Sequence, residues 1–201
     1  MNVKRAMLVH FLAALAYRTQ KAVRDAPADF GDFTVGNLVR SPKELVCHMT
    51  SVTGYAATYF SGGTYWPEPL ATLEDELDRF HSTLERLSKH ISNGDAFLDI
   101  MNEEKMLQGP LADAMTHAGQ LAMLRRIHGA PVPPENFIYA NIDATNLTEH
   151  QPEPARPDEV WAERLDGAAA RRRHGGADHE RLGGLDRGRL DRDGHWCGRR
   201  E

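Results

Sequence analysis

Three residues of this chain have types and spacing suited to holding a metal ion. They are His48 in ELVCHMTSV, and Asp113 and His117 in LADAMTHAGQLAMLRR. Residues four apart on a helix share a face, so the Asp113 carboxylate and the His117 imidazole point at one spot if that segment is helical. His48, from a second helix, completes a set of two imidazoles and one carboxylate. Such a set takes a divalent ion and leaves coordination positions open. Gln120 lies about one turn beyond His117 and is placed to hydrogen-bond the far side of that ring. Each residue alone has a plainer reading. A histidine on an apolar face is commonly a core residue satisfied by a neighbour. Asp113 reads equally well as a first-turn acid after the Gly109-Pro110 break, stabilised by the helix dipole. The ion is favoured by the cost of burying all three together without a cation or a full hydrogen-bond network.

Other reactive side chains compete less well. His10, His81, His90 and His128 fall at helix edges or ends, and His150, His174, His179 and His195 in loops or the tail; all read as solvated. Cys47 precedes His48 and points about 100° away around the helix, so it is neither ligand nor nucleophile. Tyr55 and Tyr59 read as core or cavity wall.

Four helices must position this set. The first is expected over about Val3 to Arg24, with Leu8, Phe11, Leu12, Leu15 and Ala22 on one face. A loop broken by Pro27, Gly31 and Gly36 follows, with Phe30 and Phe33 tucking it onto the core. Ser41-Pro42-Lys43-Glu44 starts the second helix: a serine cap, a proline at the first helical position and a glutamate placed for a capping box. Its inward face is expected to carry Leu45, His48, Met49, Val52, Tyr55, Ala56 and Tyr59. The third helix, about Leu70 to Ile91, has Leu73, Leu77, Phe80, Leu84, Leu87 and Ile91 in alternating steps of four and three, a bundle seam. The fourth runs from near Glu104 to His128, kinked at Gly109-Pro110 and stopped by Gly129. Leu111, Ala114, Ala118 and Leu121 make its apolar stripe. Asp113, His117, Gln120 and Leu124 make the adjacent one, expected to face a shared interior cavity. PVPPENFIYANI then reads as an irregular Pro-rich arm in which Phe137, Ile138, Tyr139 and Ile142 should pack.

The expected division is a helical domain over 1–155 and a low-complexity Arg/Gly/Asp tail over 156–201. From Glu163 onward there is no Lys, Ser, Thr, Val, Ile, Phe or Tyr. Dense charge and glycine predict disorder, and the composition suits an out-of-frame reading of a GC-rich gene. A nucleic-acid-binding Arg-Gly tail fits less well, because eight acidic residues interleave with the arginines. With 201 residues and a net charge of −5, nothing asks for a nucleic-acid partner. Cys47 and Cys197 are too far apart in sequence and context to suggest a structural disulfide, which suits a cytoplasmic setting. The opening MNVKRAMLVHFLAALAYRTQ imitates a signal peptide, but His10, Tyr17 and Arg18 break the apolar run and no small-residue cleavage site follows. No stretch is long enough to cross a bilayer, so no membrane partner is expected.

RSPKELVCHMTSV and GPLADAMTHAGQLAMLRRIHGAPVPPENF, in that order and spacing, resemble the DinB/YfiT-like superfamily of metalloenzymes. This is the damage-inducible family, not the DNA polymerase that shares its name. The resemblance covers about 1–155. It implies an all-α four-helix bundle with a long crossover connection, often a homodimer. It also implies a three-histidine metal site, one histidine on the second helix and a His-x-x-x-His pair on the last. His48 matches the first position and His117 the last; Asp113 stands where the family commonly has histidine. A carboxylate there makes the site harder and more anionic, leaving zinc, nickel, iron and manganese all open. The activity implied is thiol-dependent S-transfer with a low-molecular-weight thiol and a small-molecule substrate. A metal-dependent hydrolase and a non-catalytic metal-binding bundle are the alternatives.

Overall fold

A serine cap begins the helix that carries His48. In a computed structural model of the chain, the Ser41 hydroxyl accepts from Glu44 N–H and the Glu44 carboxylate accepts from Ser41 N–H at 2.7 Å. This reciprocal pair satisfies two amide donors that a helix start otherwise leaves bare. The structure describes residues 2–157 except 99. The long helices are α1 (Val3–Val23), α2 (Pro42–Ser61) and α3 (Leu73–Asn93). A short α4 (Glu103–Met106) then runs through one π turn, Leu107–Leu111, into α5 (Ala112–Ile127). The fold is all-α: no strand occurs among the described residues, and a single antiparallel bridge joins Glu135 to Pro157. No helix among them is long and apolar enough to cross a membrane.

The stops are chemical as well. Gly94 closes α3 at φ +77, and Gly129 follows α5 at φ +96, backbone angles that side chains disfavour. The expected kink is present as the π turn, with Gly109 at φ −94, ψ −105 and Pro110 inside it. Proline brings no N–H and crowds the preceding turn, so the hydrogen-bond ladder is re-phased there.

α2 packs on α3 and α5, and α1 packs on α5 and α3. Leu12, Leu15, Met49, Phe80, Leu84, Leu87 and Leu121 are fully buried among them. The α3 seam is as expected from Leu77 to Ile91, while Leu73 is half-buried. α2 differs. Its buried face is Leu45, Val46, Met49, Thr50, Thr53, Ala56 and Ala57, whereas Tyr55 is exposed and Val52 and Tyr59 lie at the margin. The threonines go inward because their hydroxyls donate to Val46 O and Met49 O one turn back, and so carry no unmet polar group with them. The expected wall of tyrosines turns outward, where the Tyr55 and Tyr59 hydroxyls meet each other.

Residues 130–157 are irregular apart from a short 3-10 turn at Phe137–Tyr139. Tyr17 donates to the buried Glu135 carboxylate at 2.8 Å, and Lys21 donates to Pro133 O. Burial and that carboxylate push the Tyr17 phenol well above its ordinary range. Phe137 meets the Tyr17 ring edge-on and lies under the Arg18 guanidinium, and Ile142 packs against the core. Ile138 and Tyr139, expected to pack, are exposed, with the Arg156 guanidinium over the Tyr139 ring.

Three histidines expected in solvent are held instead. His90 stacks on Phe60 and bonds the Asp95 carboxylate at 2.7 Å. His128 sits edge-on to Phe30 and Phe33, with its Nε2 3.2 Å from Asp29. His81 is buried on α3 and its Nδ1–H donates to Leu147 O at 2.6 Å, fastening the segment after α5 onto the helices. Their polar partners, Asp95, Asp29 and Leu147, lie outside the helices, so helix position alone misplaces them. Burial pushes the His81 imidazole below its ordinary 6.5. Above that pH, both folded and unfolded chains hold it neutral. As pH falls below 6.5, the unfolded chain takes up a proton that the folded site resists, so stability declines. Denaturation midpoints between about pH 7.5 and about pH 5 should fall with a His81 contribution no steeper than about 1.4 kcal/mol per pH unit, and His81→Phe should lose that component. An unchanged slope in the variant would assign the pH response elsewhere.

One compact unit spans Met1–Asp158. The sequence reading of a disordered or out-of-frame tail, including Cys197, concerns residues almost wholly outside those described; Cys47 is a free thiol.

Candidate metal centre

α2 and α5 lie side by side, which brings His48 to the Asp113-His117 face. The Asp113 carboxylate stands between the two rings. Its Oδ2 is 3.6 Å from His48 Nε2 and its Oδ1 is 3.4 Å from His117 Nε2. The rings approach edge to face, with centroids 4.8 Å apart and planes at 77°. One ligand atom from each residue lies within 4.8 Å of the other two, and this group can hold a metal ion. Two donors about a tetrahedral ion with bonds near 2.1 Å are ~3.4 Å apart. The carboxylate–imidazole spacings already meet that figure. The remaining imidazole–imidazole gap lies within 4.8 Å.

Gln120 accepts from His117 Nδ1–H at 2.7 Å. This bond fixes the ring's orientation and leaves the Nε2 lone pair facing Asp113. Burial is the main influence on His48, followed by the nearby Arg40 cation and His117. Together they hold its imidazole below its ordinary value despite the opposing pull of Asp113. A neutral imidazole is the form that ligates metal.

The surroundings differ from the expected interior cavity. His117 is buried, His48 is part-buried, and Asp113 has 48% of its side chain exposed. The cause is the π turn. It ends only just before Asp113, so the acid occupies the first turn of α5 at an open margin, while His117 lies one turn deeper. The desolvation cost that favours an ion therefore falls chiefly on His117 and in part on His48.

A cleft of about 300 Å³ opens beside the site, with His48 in its wall. Arg40, Trp66, Pro67 and Pro69 also line it, and none of these was singled out in the sequence. Their signal was slight: Arg40 immediately precedes the Ser41 cap, and the others sit in the SGGTYWPEP break. The segment holding them is anchored by Tyr65, whose ring lies where a Gly54 side chain would be; a Cβ there would meet ring carbons at 2.1 Å. Cys47 also lines the cleft. Burial pushes its thiol up, followed by the influence of Glu76, which keeps it protonated and a weak nucleophile.

No family model, curated protein or solved structure matches the chain.

Proposed function

We propose that this chain is a divalent-metal-dependent enzyme of the DinB/YfiT-like kind, built on a four-helix bundle with a long crossover. Its chemistry is thiol-dependent group transfer to a small electrophilic substrate. The observation that carries the reading is the convergence of His48, Asp113 and His117 from two helices, with no fourth His, Cys, Asp or Glu joining the group among the described residues. Three protein donors with an open position are the pattern of catalytic rather than structural sites.

Each residue has a distinct part. His117, locked by Gln120, is the fixed donor. His48 joins the donor set to the cleft. Asp113 supplies negative charge from the solvent side. A divalent ion held there supplies Lewis acidity, which lowers the pKa of a thiol or a water within its reach. The same exposure of Asp113 suits water as the nucleophile, so a metal-dependent hydrolase is the second reading. Gln120 bonds the far nitrogen of His117 rather than closing the site, which weighs against a purely structural centre.

Metal analysis of wild type and His48→Ala, both purified without chelator, tests the proposal. Wild type should carry about one equivalent, and the variant much less. Equal stoichiometry in the two would show that the ion is held elsewhere.

A further inference from the structure

The cleft beside His48 has a chemical character of its own. Trp66 (84% exposed), Pro67 and Pro69 give its lining flat apolar surface. Arg40 and Lys43 in the same lining bring positive charge. Lys43 is committed, bonded to the Asp32 carboxylate at 2.7 Å and to Ala71 O at 3.1 Å. Glu44 is the acid in the lining, and it accepts the Ser41 N–H of the helix cap. Arg40 pairs with no carboxylate among the described residues, leaving an uncommitted guanidinium in the same cleft as His48. A planar guanidinium matches a carboxylate through two parallel hydrogen bonds. An exposed indole flanked by prolines suits the face of a ring or short unsaturated chain.

We propose that this cleft is a binding subsite for a small carboxylate with a flat apolar body: the carboxylate on Arg40, the body along Trp66 and the prolines, the far end at His48. The placement of that far end rests on the metal-centre reading; the subsite itself does not. It narrows the substrate from any small electrophile to a monoanionic organic acid, and gives a reason why Trp66 is left uncovered.

The probes are benzoate and its neutral isostere benzamide. They are titrated into chelator-treated and zinc-loaded full-length protein, with tryptophan fluorescence as the readout and Trp66→Phe identifying the responding indole. Benzoate should quench Trp66 with millimolar affinity in both preparations, and benzamide should bind at least about tenfold more weakly. Arg40→Ala should erase that discrimination, and Arg40→Lys should restore part of it, because a point charge replaces the fork. Both variants should still take up zinc, since Arg40 is outside the donor set and acts on His48 only through its charge. Equal binding of benzoate and benzamide overturns the subsite, as does wild-type benzoate affinity in Arg40→Ala. No Trp66 response to benzoate at about 10 mM overturns it too. Benzoate discrimination in a protein that takes up no zinc would sink the metal centre while upholding the subsite.

Discussion

His117→Ala protein should gain no thermal stability from divalent ions, where wild type gains about 5–10 °C at an ion concentration a hundredfold above Kd. An ion that binds only the folded chain stabilises it by mass action, about 2.7 kcal/mol at that excess. For a chain of this length each kcal/mol is worth roughly 2–4 °C. His117 is the residue to remove because it is the most buried of the three and the one whose orientation is fixed, by Gln120 at 2.7 Å. Graded variants sharpen the test. Gln120→Leu keeps all three donors and should weaken ion affinity about 10–100-fold. Asp113→Asn should weaken binding, whereas Asp113→His should restore it with a shift toward zinc. If the three residues are only a polar cluster, none of this follows: wild type would show no ion-dependent rise, and His117→Ala would lose little more than one hydrogen bond. Differential scanning fluorimetry across zinc, nickel, manganese and iron(II) separates the two cases.

Arg125→Ala should cost about 3 kcal/mol of folding stability and lower Tm by about 6–12 °C while leaving ion binding intact. Arg125 is buried on α5, yet its nearest partners are carbonyls rather than acids. Its Nε donates to Ala130 O at 2.9 Å, and its Nη1 donates to Arg24 O at 3.0 Å and Ala22 O at 3.3 Å. Ala22 belongs to the last turn of α1, where carbonyls lack helical partners and the dipole is negative. One guanidinium therefore caps α1, holds the chain after α5 and joins two helices, with the Phe30 ring 5.3 Å away. Truncation leaves several carbonyls short of donors at about 1–3 kcal/mol for each that stays buried, partly offset by entering water. Lysine cannot reproduce the fork, so Arg125→Lys should recover less than half. Urea denaturation of the three proteins decides the matter; a loss under about 1 kcal/mol for Arg125→Ala would mean that water takes over the carbonyls.

Local chemistry was readable in the sequence and distant partnership was not. The Ser41-Glu44 box, Pro42, the Leu77 to Ile91 seam and the Gly94 and Gly129 stops all depend on residues within a turn or two of one another, and they occur as their spacing implies. Asp113, His117 and Gln120 were legible as a group for the same reason. The approach of His48 could only be guessed, because it depends on how α2 and α5 lie together. The holding of His81, His90 and His128 is not legible, because their polar partners Leu147, Asp95 and Asp29 come from segments with no periodicity. The inward turn of Thr50 and Thr53 was hidden because a polar residue type reads as surface unless its backbone bond is foreseen. Arg40 and Trp66 were silent for a further reason: an exposed cation and an exposed ring acquire meaning only from the concavity they share.

The π turn at Leu107–Leu111 bears on which ions the proposed centre would tolerate. It places the three donors on supports of unequal stiffness. His48 stands in the middle of α2 and His117 one turn inside α5, while Asp113 stands two residues past the π turn, where the hydrogen-bond ladder is re-phased. If an ion is held there, a change in its radius would fall mainly on the half-exposed acid and less on the more buried imidazoles. Selection among first-row divalent ions would then fall less to the shape of the cage than to which ion the surroundings supply.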